Sequence, residues 1–287
     1  MSIVAIDMDG TLLNSNGKIS AANAEALKKL KHKGYKVVIA TGRDVDEVKR
    51  LTGNANVQPD GIVSINGAVV EWQDEVLREA TMQTKDAADL LEWLENKGYY
   101  YHAYTQEGIH ASAQGKDFYE NDIKEFTKNK EDAEVISERI RQKADEQIKD
   151  LVIKDMPSPE ELKSNHYKVY KFLVVSLLEE KLHQARKVWS GREEISITSS
   201  GRDNIEIMHP DIQKGKGLLS VLEHLHIDAE NSFAIGDNYN DLPMFNLVGT
   251  SIAMGNAEDD VKKVATHETA HHDADGVAKA VYDIILK

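Results

Sequence analysis

A short apolar strand that ends in two carboxylates constrains this chain more than any other feature. The run Ile3–Ile6 is continuously apolar, which is typical of a strand covered on both faces of a parallel sheet. Asp7 and Asp9 follow it, and Gly10-Thr11 supplies a turn that can bring backbone N–H groups close to an anion. Ligands of open α/β sheets bind beyond the carboxyl ends of the strands, so we expect the chemistry here. The same residues also suit an Asx-rich turn after a core strand.

Strand and helix patterns alternate in the first and last thirds of the chain. Ser20 is predicted to cap a helix that ends before Gly34. Further buried strands are predicted at residues 37–40, 61–65, 232–236 and 250–254. Asn66-Gly67 predicts a hairpin turn after the third strand. This alternation predicts an α/β fold with a doubly wound parallel sheet.

The middle third has a different pattern. Residues 99–104 and 108–112 predict an antiparallel hairpin, and the charged stretch 116–150 contains apolar residues at the spacing of an amphipathic helix. More strands are predicted at residues 169–177, 195–198 and 204–208. We therefore predict an inserted α+β domain over residues 83–209, with the α/β core formed by residues 1–82 and 210–287.

Composition limits the classes of partner and of metal site. The 287 residues include 35 Lys and Arg against 49 Asp and Glu, a net charge of -14, which argues against a nucleic-acid or acidic-membrane binder. Cysteine is absent, which excludes disulfides and thiolate metal sites. No basic segment precedes the first strand, and the apolar runs are too short to span a bilayer. The expectation is a soluble cytoplasmic protein, either a monomer or a homodimer.

Polar residues also follow the other predicted strands of the core. They are Thr41, the helix-starting Lys214, and the acidic pair Asp237 and Asp241. Together with Asp7 and Asp9, this pair makes four carboxylates, which would repel strongly unless a cation lay among them. Mg²⁺ suits such a site because it prefers oxygen ligands and keeps positions for water and phosphate. The sequence therefore predicts a Mg²⁺ site with Asp7, Asp9, Asp237 and Asp241 as its ligands.

These residues resemble the four motifs of the haloacid dehalogenase superfamily of phosphatases. The matching segments are Asp7-x-Asp9-Gly10-Thr11, Thr41, Lys214 and Gly236-Asp237-x-x-Asn240-Asp241. The inserted domain, with Asn66-Gly67-Ala68 before it and the segment 253–257 near the end, resembles the Cof-type subfamily with its large α/β cap. The resemblance implies a Rossmann-like core and a cap that selects the substrate.

The resemblance also implies roles for the motif residues. Asp7 would be the nucleophile that forms an aspartyl phosphate, and Asp9 would act as general acid and base, with its carbonyl oxygen on Mg²⁺. Thr41 would bind phosphoryl oxygens and Lys214 would neutralise developing charge, with Lys216 as the competing lysine. Asp237 would bind the metal, and Asp241 would bind it directly or through water. The residues implied to contact phosphate or substrate are Gly10, Thr11, Gly42, Arg43, Asn66, Asn240 and Asn256.

The sequence thus predicts a Mg²⁺-dependent phosphatase that acts on a small phosphomonoester. Its substrate would be a sugar phosphate or a phosphorylated cofactor precursor, such as a flavin-pathway compound or pyridoxal phosphate. A phosphomutase of the same fold and a phospho-receiver module without turnover are the alternatives. A carboxylate at Asp9 favours a phosphatase or phosphomutase over the transport ATPases, which carry threonine there.

One further motif, His267-Glu268-x-x-His271, matches the two-histidine pattern of zinc proteases. That pattern requires a helix with both histidines on one face. Here it follows an apparent strand at Val264-Ala265 and continues into Asp273–Gly276, which is typical of a loop. We therefore interpret it as a solvated polar loop near the active-site rim.

Overall fold

The structure is a computed structural model that describes residues 2–149, 151–164 and 167–287. Met1, the first residue of the predicted segment 1–82, and Asp150, the last residue of the charged stretch 116–150, lie outside the described residues. The chain divides into two compact units. The core unit comprises the described residues up to Ala80 together with Asp211–Lys287, and the insert unit comprises those of Thr81–Pro210.

The first segment of the core unit contains two α-helices and five strands. In chain order these are β1 (Ile3–Ile6), α1 (Ala21–His32), β2 (Lys36–Ala40), α2 (Val45–Asn54), β3 (Gly61–Ser64), β4 (Val69–Trp72) and β5 (Glu75–Glu79). As predicted, the Ser20 hydroxyl caps α1 by accepting the N–H of Asn23 at 3.1 Å. The predicted hairpin joins β3 to β4.

The insert unit contains five helices and six strands in its described residues. They are α3 (Thr84–Lys97), β6 (Tyr100–Thr105), β7 (Gly108–Ala111), α4 (Gly115–Thr127), α5 (Ala133–Ile148), β8 (Ile153–Asp155), α6 (Pro159–Ser164), β9 (Val169–Val175), α7 (Glu179–Trp189), β10 (Ser196–Thr198) and β11 (Asn204–Met208). The sheet has the order β10-β11-β9-β6-β7-β8 and is antiparallel except for the pair β7 and β8. Side chains of α3 and α7, such as Leu94 and Leu182, pack with Phe172 and Val174 of the sheet.

The second segment of the core unit returns to the α/β pattern. Its elements are α8 (Lys214–His224), β12 (Phe233–Gly236), α9 (Leu242–Phe245), β13 (Thr250–Ala253), α10 (Asp259–Val264), β14 (His267–Glu268) and α11 (Gly276–Ala280). Further helical turns lie at Tyr239–Asp241 and at Val281–Ile285.

The core sheet has eight strands in the order β14-β13-β12-β1-β2-β3-β4-β5. The six strands from β14 to β3 are parallel, and β4 and β5 extend the sheet in antiparallel fashion. Side chains of β1 alternate between the two faces: Val4 packs with Leu27 of α1, and Ala5 packs with Leu218 of α8. The predicted doubly wound sheet is confirmed, and β1 lies at its centre.

The segment around His267 differs from its prediction. Val264 is the last residue of α10 rather than part of a strand, and His267–Glu268 is an edge strand that pairs with Ile252 and Ala253 of β13. Two exposed residues are too few to show an alternation of apolar and polar side chains, so the sequence pattern could not reveal this strand. The zinc-protease motif therefore lacks the helix that it requires. No helix within the described ranges is long and apolar enough to cross a membrane.

Candidate active site

The turn after β1 carries Asp7 into a buried position. The Asp7 N–H donates to the carbonyl oxygen of Ile235 at 3.0 Å, and the residue is only 4% exposed. Gly10, three residues later, has φ +77°, and a Cβ atom there would lie 2.4 Å from Oδ2 of Asp237. The turn therefore requires glycine for two reasons: its backbone conformation and the close approach of Asp237.

Lys214, the first residue of α8, joins two of the carboxylates. Its Nζ lies 2.7 Å from Oδ1 of Asp7 and 2.7 Å from Oδ1 of Asp241, and the side chain is 1% exposed. Lys216 instead lies at the surface, where its Nζ pairs with Asp211 at 2.5 Å. Of these two lysines, Lys214 is therefore the one that lies beside Asp7 and Asp241.

Asp241 holds the loop that follows β12. Its Oδ2 accepts the N–H groups of Asp237 at 2.9 Å and Asn238 at 3.1 Å, while its Oδ1 accepts from Lys214. A Cβ atom on Gly236 would lie 2.4 Å from the same Oδ2. Both oxygens of Asp241 thus have partners within the protein, so the residue orients both the loop and the lysine.

Three of the four predicted metal-binding carboxylates lie together. Oxygen atoms of Asp7, Asp237 and Asp241 lie within 4.8 Å of one another, which we call the carboxylate cluster. Thr11 Oγ1 donates to Oδ1 of Asp237 at 2.9 Å. Burial and repulsion from Asp241 raise the pKa of Asp237 to about 7. Burial also raises the pKa of Asp7 well above its usual value, although Lys214 opposes the shift.

The carboxylate cluster therefore carries more negative charge than its one lysine neutralises. Although burial lowers the pKa of Lys214, the attraction of Asp241 and Asp7 outweighs it, so the net shift is upward and the ammonium remains charged. Raised carboxylate pKa values mean that the site favours uptake of a positive charge, either a proton or a metal ion. An all-oxygen donor set of this kind fits Mg²⁺.

The carboxylate of Asp9 lies outside this cluster. Its two oxygens accept from Nε of Arg43 at 2.8 Å and from Nη2 at 2.7 Å, and its side chain is 56% exposed. Nη1 of Arg43 pairs with Glu47. Burial raises the pKa of Glu47, although the Arg43 guanidinium opposes the shift. The Asp9 side chain thus lies outside the carboxylate cluster, and the metal ligand that the resemblance implies for this residue is its carbonyl oxygen.

Several predicted phosphate-binding residues meet beside β2. The buried Thr41 donates its N–H to Val63 at 2.8 Å, and its hydroxyl accepts the N–H of Arg43 at 3.2 Å. Asn66 donates its N–H to the Thr41 carbonyl at 2.8 Å, and its side chain accepts from Asn240 at 3.5 Å. Gly42 follows Thr41 directly.

Asn256 contacts the turn after β1. Its Nδ2 donates to the Gly10 carbonyl at 2.8 Å, and its Oδ1 accepts the N–H of His272 at 3.0 Å. The amide therefore supports the turn that carries Asp7, and the second N–H of its Nδ2 is the donor on which the predicted phosphate contact depends.

The sequence interpretation missed a buried ion pair in the insert unit. Lys171 Nζ lies 2.7 Å from Oε1 of Glu206 and 4.5 Å from the ring centroid of Tyr104. Neither charged side chain is more than 2% exposed. A lysine inside the otherwise apolar run Tyr170–Val175 was the available signal, because charged residues are rarely fully buried unless they are paired.

Comparison with known proteins identifies the family. Residues 4–281 match the sequence profile of the haloacid dehalogenase-like hydrolases. The chain belongs to this family. Like its named relatives, this haloacid dehalogenase-like hydrolase is a phosphatase of the Cof type, a hydrolase of phosphoric monoesters.

The similarity of this hydrolase to its relatives extends over nearly the whole chain. It is 31% identical to the phosphatase YwpJ of Bacillus subtilis over 97% of this chain and 98% of that protein. It is 33% identical to the 5-amino-6-(5-phospho-D-ribitylamino)uracil phosphatase YwtE of the same organism, over 97% of this chain and 96% of that protein. The solved structure of a haloacid dehalogenase-like hydrolase from B. subtilis, 31% identical, superposes with a TM-score of 0.85 and covers 99% of this chain and 100% of that one.

Proposed function

We propose that this phosphatase hydrolyses a small phosphomonoester through an aspartyl phosphate on Asp7, with Mg²⁺ bound at the carboxylate cluster. The observation that carries the proposal is the placement of Asp7. It is a buried carboxylate whose Oδ1 is bound by Lys214 at 2.7 Å, which leaves Oδ2 as the attacking atom. Asp237 and Asp241 lie within reach of the same cation.

In the first step, Oδ2 of Asp7 attacks phosphorus in line with the ester oxygen. The phosphorus–oxygen ester bond breaks, and Asp9 donates a proton to the departing oxygen. In the second step Asp9 takes a proton from water, the water oxygen attacks phosphorus, and Asp7 leaves as a carboxylate. Because Arg43 binds both oxygens of Asp9, this pair must separate before Asp9 reaches the leaving group.

The metal would be held by Asp7, Asp237 and the carbonyl oxygen of Asp9. Asp241 would act on it through water, because both of its oxygens are engaged within the protein. When bound, Mg²⁺ supplies positive charge that offsets the cluster and draws the phosphate toward Asp7. Phosphoryl oxygens would be bound by Lys214 and by the Thr41-Gly42 segment, with Asn66 and Asn240 next to it.

We propose a phosphorylated sugar or a phosphorylated cofactor precursor as the substrate. The similarity to YwtE favours a phosphate on a ribityl-like polyol chain, as in the flavin-pathway intermediate that gives that relative its name. Pyridoxal phosphate is the second candidate substrate of this cofactor-related kind. We propose that the insert unit, with its buried Lys171–Glu206 pair, selects among such compounds.

The experiment is inorganic phosphate release from sugar phosphates, nucleotides, the ribitylamino-uracil phosphate, flavin mononucleotide and pyridoxal phosphate, each with Mg²⁺ and with EDTA. We expect turnover that requires the metal and is concentrated on one or a few compounds. A phosphomutase would instead need a bisphosphate activator and release little phosphate. Equal turnover with EDTA would contradict the metal's role.

The role of the insert unit has its own test. A variant in which a short glycine linker replaces residues 83–208 should lose far more activity on the preferred substrate than on p-nitrophenyl phosphate. Equal losses on both esters, in a variant that remains folded, would argue against substrate selection by this unit.

A further inference from the structure

Two histidines and an aspartate lie side by side in the loop between β14 and α11 of the core unit. We call His271, His272 and Asp273 the histidine cluster. One nitrogen of each ring and one carboxylate oxygen lie within 4.8 Å of one another. These residues are distinct from the carboxylate cluster, and the proposed phosphatase chemistry does not use them.

The hydrogen bond of His272 determines which of its nitrogens can bind a ligand. Its Nδ1 lies 2.8 Å from the carbonyl oxygen of Leu13, and a carbonyl can only accept, so Nδ1 carries the proton. In the neutral ring, Nε2 then carries a lone pair, and it lies 3.8 Å from Oδ2 of Asp273. An Nδ1–H bonded to a backbone carbonyl is the usual support of a metal-binding histidine.

His271 presents its lone pair to the same oxygen. Its Nδ1 accepts the backbone N–H of Asp273 at 3.1 Å, and an N–H can only donate, so Nδ1 is unprotonated. This nitrogen lies 3.7 Å from Oδ2 of Asp273. Both ring nitrogens therefore carry a lone pair within 4 Å of the same carboxylate oxygen. The lone pair of His271 is taken by the N–H of Asp273, and a cation could take the place of that N–H.

We propose that the histidine cluster binds a divalent transition metal ion of the Zn²⁺ class. Two imidazoles and one carboxylate suit such ions, whereas Mg²⁺ prefers oxygen ligands alone. Ligand atoms on a tetrahedral ion lie about 3.3 Å apart, so the two nitrogen–oxygen pairs must each close by about 0.4–0.5 Å. The hydrogen bond from Asp273 to His271 is the contact that the ion replaces.

The ion would stabilise the contacts between this loop and the turn after β1. Ser15 already donates to Asp273 through its N–H at 2.7 Å and its hydroxyl at 2.6 Å, and His272 donates to Leu13. The N–H of His272 also binds Asn256, which in turn holds the Gly10 carbonyl. A metal ion at the histidine cluster therefore stabilises the turn that carries Asp7 without taking part in the reaction.

The test is a Cu²⁺ titration of the full chain in saturating Mg²⁺, read by electron paramagnetic resonance with electron spin echo detection of imidazole nitrogen. We expect one Cu²⁺ per chain with imidazole ligands. The single variants His271→Asn, His272→Asn and Asp273→Asn should each bind it about tenfold or more weakly. His226→Asn is the matched control, because His226 is exposed and its φ of +54° suits asparagine.

Thermal unfolding with Zn²⁺ gives a second readout. Zn²⁺ should raise the Tm of the wild type and of His226→Asn, but not that of the double variant His271→Asn/His272→Asn. A Cu²⁺ resonance spectrum that shows oxygen ligands alone would place the ion at the carboxylate cluster and overturn the proposal. Unchanged affinity in the three cluster variants, or no bound Cu²⁺ at all, would likewise overturn it.

Discussion

Lys214 Nζ lies 2.7 Å from the carboxylate of Asp7, although 207 positions of sequence separate the two residues. The same ammonium group binds Asp241 at 2.7 Å, so one cation bridges the ends of two neighbouring parallel strands. The chain thereby places its proposed nucleophile beside a fixed positive charge, in a site with more carboxylates than one lysine can neutralise.

Replacing Lys214 tests this arrangement. Lys214→Met should lower kcat at least about a hundredfold, because a group that stabilises charge in the transition state is lost. It should also destabilise the metal-free protein by about 3–5 kcal/mol, since buried carboxylates lose their partner. Lys216→Met is the control: this exposed lysine should be replaceable with little effect on either quantity. Equal effects of both substitutions on kcat would contradict the role proposed for Lys214.

Gly10 and Gly17 form a matched pair for the turn after β1. Both have positive φ, +77° and +67°, but a Cβ atom on Gly10 would meet Asp237 at 2.4 Å, whereas one on Gly17 would have nothing within 4 Å. Gly17→Ala should cost about 1–2 kcal/mol of stability and leave kcat nearly unchanged. Gly10→Ala should cost more and should also weaken Mg²⁺ activation by displacing Asp237. Identical behaviour of the two variants in chemical denaturation and Mg²⁺ titration would show that the contact with Asp237 is unimportant.

The raised pKa of Asp237 predicts a pH dependence of stability. This carboxyl titrates near 3.8 when unfolded and near 7 when folded. Its contribution to the free energy of unfolding is therefore fully present below the unfolded value and is lost as pH rises through 7. The metal-free protein should lose this stability as pH rises from about 4 to about 7, by up to a few kcal/mol in all, with little further loss above about pH 8. Urea unfolding across this range measures the slope.

Two controls accompany this measurement. Asp237→Asn should flatten the slope, and Mg²⁺ should remove it in the wild type, because the metal binds the ionised form. Asp283→Asn, at an exposed position, should leave the slope as it is. A metal-free protein whose stability rises over the same pH range would contradict the assigned shift.

Asp9 should matter most when the leaving group is a poor one. Asp9→Asn removes the proton donor, so turnover of an alkyl phosphate should fall about 10²–10⁴-fold. With p-nitrophenyl phosphate the first step needs little protonation, so the variant should show a burst of nitrophenol followed by slow hydrolysis. Stopped-flow absorbance would detect that burst. Parallel losses in both the burst and the steady state would point to a role in binding instead.

The positions of the candidate active-site residues could be predicted wherever these residues follow a buried strand. Asp7, Thr41 and Asp237 each come directly after an apolar run, and parallel strands bring such ends to one edge of the sheet. Lys214 could be predicted from its place at a helix start. The parallel direction of the strands around β1 follows from the same alternation of strands and helices, whereas their order in the sheet does not.

Side-chain direction could not be predicted in the same way. Asp9 is two residues from Asp7, yet it faces Arg43, because the turn at Gly10 decides which way each carboxylate points. Asn256 binds a backbone carbonyl that is 246 residues away, and no local pattern encodes such a contact. The ion pair of Lys171 likewise depends on which strands become neighbours in the insert unit.

In the proposed mechanism, phosphoryl transfer passes through Asp7. The most direct measurement is acid-quenched mass spectrometry of Asp9→Asn during turnover of p-nitrophenyl phosphate, with Asp7→Asn/Asp9→Asn as the comparison. We predict that the peptide containing Asp7 gains the mass of one phosphoryl group in the single variant and not in the double variant. Burst formation of nitrophenol without a phosphoryl group on that peptide, or with the phosphoryl group on another peptide, would contradict this mechanism.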